Sequence, residues 1–267
     1  MTRGSITLAK QGEGCVNEDA VMSMEGVIAV SDGAGGGGLF ADKWSAYLLA
    51  NLPNTPLLSA DEADGWLETI WETFYNECEQ TAVKSGGLLL DKFYDEGSFA
   101  TLAAVWRVED SRCVWASYGD SVAFHYNRKT KTLEHSFGRL ADFNNPPYLI
   151  NCKDELNKQG FHSGEFLTDE HSEVFVASDA LAHYIIMMYE IMNHQNFEEE
   201  LLEAMGKHSK NENYIKAAMN LMPFDFETDV LDVLFSCVND REKFVCLVRS
   251  LVSSSVSALD DYSLAVM

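Results

Sequence analysis

Two apolar runs in this chain are near-copies. Val27-Ile28-Ala29-Val30-Ser31-Asp32-Gly33 and Val174-Phe175-Val176-Ala177-Ser178-Asp179-Ala180 both stop at Ser-Asp and a small residue. Uninterrupted β-branched runs of this length read as buried strands, and buried strands commit a chain to a layered core. Each Ser-Asp then falls where a strand leaves that core. Glu18-Asp19 near one end of the chain and Asp260-Asp261 near the other add two more acidic doublets beside apolar runs. Asp120 follows Gly119 at a turn between two further apolar runs.

The 267 residues, 46% of them hydrophobic, suffice for one large layered domain. No Pro-, Gly- or Ser-rich linker divides them, so a single domain over 1–267 is expected. Strand-like runs cover 5–9, 20–24 and 27–30, and helical spacing follows over 39–52 and 61–84. Ser59 and Glu62 supply a capping-box signature for the second helix. Strands are expected over 98–107, 113–118, 121–126 and 132–137. Residues 138–172 lose periodicity and read as an irregular flap. A strand over 173–178, helices over 180–195, 197–206, 211–221 and 228–252, and a last strand over 262–266 complete the pattern. Strands and helices come in blocks, which predicts antiparallel sheets with helices packed outside, an α+β fold.

The 42 acidic residues outnumber the 19 basic ones, for a net charge of −23. Nucleic acid is an unsuitable partner, because its recognition depends on neutralising phosphates. The six cysteines share no Cys-x-x-Cys or zinc-like spacing, which suits reduced thiols. No segment approaches the ~18 consecutive apolar residues of a membrane span, and residues 1–14 lack a signal-like apolar stretch. A cytoplasmic protein is expected. The seven histidines share no spacing and read as structural, and the glycines at 35–38 lack the Lys-Ser/Thr of a nucleotide loop.

Taken singly, each aspartate beside a glycine is ordinary turn chemistry. Together, Glu18, Asp19, Asp32, Asp120, Asp179 and Asp260 pose an electrostatic problem. Two carboxylates ~4 Å apart repel by roughly 4 kcal/mol at an effective dielectric of 20. A group of four or five requires cations or bound protons, and oxygen-only donors select Mg²⁺ or Mn²⁺.

The motifs Asn17-Glu18-Asp19-Ala20, Ser31-Asp32-Gly33-Ala34-Gly35-Gly36, Gly97-Ser98-Phe99-Ala100-Thr101, Gly119-Asp120-Ser121, Ala177-Ser178-Asp179 and Asp260-Asp261-Tyr262-Ser263 occur in that order. In order and spacing they resemble the metal-dependent type 2C serine/threonine protein phosphatases, the PPM family, over about residues 5–267. The resemblance implies an antiparallel β-sandwich of two sheets flanked by α-helices, with a two-metal centre at one end. It implies Asp19, Asp32, Asp179 and Asp260 as the residues acting through Mn²⁺ or Mg²⁺, with Asp32 bridging. Glu18 would bind through water, Gly33 by its carbonyl, and Asp120 would serve a third ion. The implied activity is removal of phosphate from a phosphoprotein Ser or Thr by direct attack of a metal-activated water.

Departures from the pattern keep an alternative open, a weak or inactive pseudophosphatase that binds phosphoproteins. Gly14 stands where the family has a phosphate-gripping Arg; Lys10, Arg3 and Arg139 are the candidate replacements. Ala34 stands where many members have a histidine that assists the leaving group. Ala180 replaces a glycine, and Val122 a common arginine.

Overall fold

The computed structural model describes residues 4–10, 15–36, 38–206, 209 and 211–267. Strands β1 (Gly4–Leu8), β2 (Asp19–Met24) and β3 (Val27–Asp32) lead into helices α1 (Ala41–Ala50), α2 (Ala60–Ser85) and α3 (Leu88–Glu96). Then come β4 (Phe99–Ala100), β5 (Leu102–Glu109), β6 (Arg112–Tyr118), β7 (Val122–Asn127), β8 (Thr132–His135), β9 (Ile150–Asn151), β10 (Phe161–Leu167) and β11 (Ser172–Ala177). Helices α4 (Asp179–Met192), α5 (His194–Ala204), α6 (Asn211–Met219), α7 (Asp232–Cys237) and α8 (Arg241–Ser253) precede the last strand, β12 (Tyr262–Val266).

Two five-stranded sheets form, ordered β1-β12-β11-β7-β8 and β10-β6-β5-β3-β2, and their paired strands are antiparallel throughout. Side chains alternate between faces along each strand, and here both faces are covered. In β3, Ile28 and Val30 enter the core between the sheets, while Val27 and Ala29 turn outward to α1–α3. In β11, Val174 and Val176 face the other sheet, while Phe175 and Ala177 face the layer of α4–α8. Three apolar cores result, and the expected α+β sandwich is the observed one. Double coverage explains why these strands read as unbroken apolar runs and not as apolar-polar alternation.

Local departures have local causes. The run expected at 98–107 breaks at Thr101, whose N–H donates to the Asp32 carbonyl at 2.8 Å instead of extending one strand. Helix α3 is additional; only Phe93 is buried in it, so its apolar face is too narrow to read. The Ser59 hydroxyl accepts the Glu62 N–H at 3.2 Å as expected, but the Glu62 carboxylate accepts from Leu58 N, one residue beyond the cap. The flap at 138–172 contains a regular element: β10 pairs along β6 from Phe161↔Tyr118 to Leu167↔Arg112. It is an edge strand with largely exposed side chains, and Gly164 leaves room for the Trp115 ring. The helix expected over 228–252 divides into a π-turn at Phe226–Leu231, α7 and α8, with Asp240 capping α8 by accepting from Lys243 N at 3.1 Å. Among the described residues, no helix is long and apolar enough to cross a membrane.

Candidate metal centre

Strand register alone gathers the acidic residues. Asp19 opens β2 and pairs with Asp32, which closes β3. Val30 of β3 pairs with Ala103 near the start of β5, and Leu102 of β5 with Tyr118 at the end of β6. The β6–β7 turn carrying Asp120 therefore lies at that same end. In the other sheet Ala177, ending β11, pairs with Val122 at the start of β7 and with Leu264 near the start of β12. That places Asp179 and Asp260 on the shared rim. Leu8, ending β1, pairs with Tyr262 and brings Lys10 there too.

Small hydroxyls fasten the strand ends. Asp32 N–H donates to Thr101 Oγ1 at 3.1 Å, Thr101 Oγ1 lies 2.7 Å from Ser121 Oγ, and Ser31 Oγ donates to the Thr101 carbonyl at 2.7 Å. Across the second sheet, Ser178 N–H donates to the Ser263 carbonyl at 3.1 Å, and Ser263 N–H to Ser178 Oγ at 2.9 Å. Ser31, Ser121 and Ser178 each adjoin an acidic residue in the sequence, and Thr101 and Ser263 meet these serines across the sheets.

Gly33 is needed for close approach. A Cβ there would lie 2.6 Å from the carbonyls of both Glu18 and Ala41. Its N–H donates to the Glu18 carbonyl at 3.0 Å, and its own carbonyl accepts from Gly35 N. A Cβ at Gly35 would strike the Glu18 carboxylate at 1.7 Å. The glycines thus let the Glu18 side chain lie over the loop.

The carboxylates feel one another. Burial pushes Asp19 up to about 7, with Asp179 and Asp261 adding to it. The hydroxyls of Ser178 and Ser263 pull it back, but neither stands in hydrogen-bonding geometry to it; both Asp19 side-chain oxygens are buried without a partner. Asp32 is raised well above the carboxylate range by burial, Asp19, Asp120 and Asp260, and Asp179 by burial, Asp32, Asp120 and Asp260. Asp120 is pushed up to about 6 by burial and Asp260. Asp260 is raised by burial, while Lys10 acts in the opposite sense.

Among the described residues, no three acidic, histidine or cysteine side chains stand ready to hold one ion. The acids share a field without closing on a point. Their donor set is nonetheless all oxygen, and the buried Asp19 carboxylate, which makes no hydrogen bond, is an acceptor that a proton or cation would compensate. In kind, these residues fit a hard divalent ion.

Two nearby residues have other duties. Asp261 accepts the N–H of Lys10 at 2.6 Å and of Glu18 at 2.8 Å, so both its oxygens tie the β1–β2 segment to the rim. Lys10 Nζ lies 3.0 Å from Glu18 Oε2. Of the candidate replacements for the absent arginine, Arg139 is paired with Glu203 at 2.6 Å and Asp142 at 3.6 Å. Arg3 and Gly14 lie outside the described residues. Of the histidines, His125 bonds Glu134 and Ser172, and His183 is buried, lowered to about 4, against Phe143 and Tyr214.

The fold, an antiparallel sandwich covered by helices, is shared with solved structures of bacterial PPM-type serine/threonine phosphatases. The Staphylococcus aureus serine/threonine phosphatase Stp1 matches over 98% of this chain and 92% of its own, with TM-score 0.51 and 13% identity. The Mycobacterium tuberculosis phosphatase PstP/Ppp matches over 98% and 95%, with TM-score 0.52 and 13% identity. The PstP catalytic domain in complex with two manganese ions gives the same coverage and TM-score at 14% identity. At such identities the likeness is one of fold. No family model and no curated protein sequence matches the chain.

Proposed function

We propose that this chain is a metal-dependent phosphatase of phosphorylated Ser or Thr in proteins. The observation that carries the reading is the convergence of Asp19, Asp32, Asp120, Asp179 and Asp260 from both sheets on one rim, with Asp19 buried and unpartnered. The shared fold supports it, as does the pair of manganese ions in one structural neighbour. Asp19, Asp32, Asp179 and Asp260 would hold two Mn²⁺ or Mg²⁺ ions, with Glu18 reaching them through water, the Gly33 carbonyl as a further donor and Asp120 toward a third. Bound ions supply an acidified water and neutralise charge on phosphoryl oxygens.

The chain's own residues do the rest. The hydroxyl clasps fix each strand end and so pre-set the carboxylates before any ion arrives. Lys10 offers the rim a side-chain cation that could meet a phosphate dianion beside the bound ions. The six cysteines are all thiols, which suits a reducing, cytoplasmic setting. With Mn²⁺ the protein should hydrolyse an aryl phosphate and a phosphoserine peptide, and should bind Mn²⁺ by calorimetry. Asp32→Ala should abolish both; hydrolysis that persists in this variant defeats the mechanism.

A second reading, a phosphoprotein-binding module without turnover, is favoured by two features. Ala34 offers no proton to a leaving group, and Lys10 is engaged by Glu18. Mn²⁺ binding with no hydrolysis of either substrate would select it.

A further inference from the structure

A cavity of about 1000 Å³ runs between α8 and the end of β1, and its lining includes both Lys10 and Asp260. It therefore opens directly onto the acidic rim. Helix α8 turns Phe244, Val248 and Leu251 into the protein. The stripe containing Val245, Arg249 and Val252 borders the cavity, as does the exposed Leu259 opposite.

The balance of charge shifts here. The chain as a whole has more than two acidic residues for each basic one. The cavity wall instead carries Lys10, Arg241 and Arg249 against Glu242 and Asp260, and Asp260 belongs to the candidate metal centre. Arg241 donates to the Thr7 carbonyl at 3.4 Å and so braces α8 against β1. Arg249 lies two turns further along the helix, about 12 Å away at 1.5 Å per residue. An extended peptide covers that distance in three or four residues. Apolar contacts from Val245, Val252 and Leu259 between cationic groups suit a polypeptide bearing acidic side chains, not a small anion.

We infer that this groove seats the part of the phosphoprotein substrate that flanks the phosphorylated residue, and that Arg249 selects acidic side chains there. The inference rests on the phosphatase reading for the identity of the substrate, but not for the binding itself. It runs against net charge, which alone favours basic segments.

The test uses fluorescence anisotropy without metal. Two labelled peptides share one central phosphoserine, flanked on both sides by Glu and Leu in one and by Lys and Leu in the other. The wild-type chain should bind the acidic peptide at least ~5-fold more tightly. Arg249→Glu should weaken that peptide about 10-fold and strengthen the basic one, while Mn²⁺-dependent hydrolysis of an aryl phosphate, which has no flanking residues, stays unchanged. Val245→Glu should weaken the acidic peptide similarly. Equal affinity of wild type and Arg249→Glu for the acidic peptide, or wild-type preference for the basic one, overturns the inference. Binding as expected with no aryl phosphate hydrolysis leaves the groove standing and removes the enzyme. Hydrolysis without peptide discrimination does the reverse.

Discussion

The carboxylate of Asp261 accepts the backbone N–H of Glu18 at 2.8 Å, although 243 positions separate the two in the chain. Its other oxygen accepts Lys10 N–H at 2.6 Å. Hydrogen bonds to an ionised acceptor contribute about 1.5–3 kcal/mol each. Asp261→Ala should therefore lower stability by roughly 3–6 kcal/mol in urea titration and weaken Mn²⁺ binding, because the Glu18–Asp19 segment loses its anchor. Asp261→Asn retains one acceptor and should fall between. Wild-type stability in Asp261→Ala would show that the clasp contributes nothing.

Removing negative charge from the rim should stabilise the metal-free protein. Asp32 is pushed up by burial and by Asp19, Asp120 and Asp260, so it is a costly group to keep ionised. Without metal, Asp32→Ala is expected to melt several °C above wild type. With Mn²⁺ at ~100 times its dissociation constant, wild type should gain about 2.7 kcal/mol, or roughly 5–10 °C for a domain of this size. The variant should gain nothing. An equal Mn²⁺ response in both proteins would remove Asp32 from the ligand set.

The strands were legible because sheets covered on both faces write unbroken apolar runs, and β12 falls where Tyr262–Val266 was expected. The acidic residues were legible because each lies at the edge of an apolar run. Three features were not. The edge strand β10 packs only Phe166 fully inward and so shows no alternation. The clasp role of Asp261 depends on a partner far away in the chain. Placement of Lys10 at the rim follows only from the β1–β12 register. Local patterns report burial and turns; partners across the sandwich are set by register, which a single sequence does not display.

Glu190 on α4 is 3% exposed, and its Oε2 is buried without a partner. Burial first, then Glu200, pushes its carboxyl up to about 8 from 4.5. The folded value lies above the unfolded one, so this contribution to stability is complete below about pH 4.5 and lost as pH rises through 8. Glu190→Gln carries no such charge. It should match wild type near pH 5 and exceed it by about 1–3 kcal/mol at pH 9, the usual cost of an uncompensated buried polar group. Parallel pH dependence in the two proteins would show that the Glu190 carboxyl titrates alike in the folded and unfolded chain.

Lys10 is the cation whose charge reaches Glu18, Asp260 and Asp261 together. Its bond to Glu18 is partly exposed, at 35% and 25% for the two side chains, so the pair itself contributes under ~1 kcal/mol to stability. Its value would lie in meeting a phosphate dianion beside the bound ions. Lys10→Met should raise KM for a phosphoserine peptide, and the inhibition constant of inorganic phosphate, by roughly 10- to 100-fold, the equivalent of one charge-assisted contact. Melting temperature should move by less than about 2 °C, and Lys10→Arg should restore most of the binding. If Lys10→Met instead lowers kcat and leaves both constants untouched, the lysine acts on metal placement through Glu18 and does not touch the phosphate.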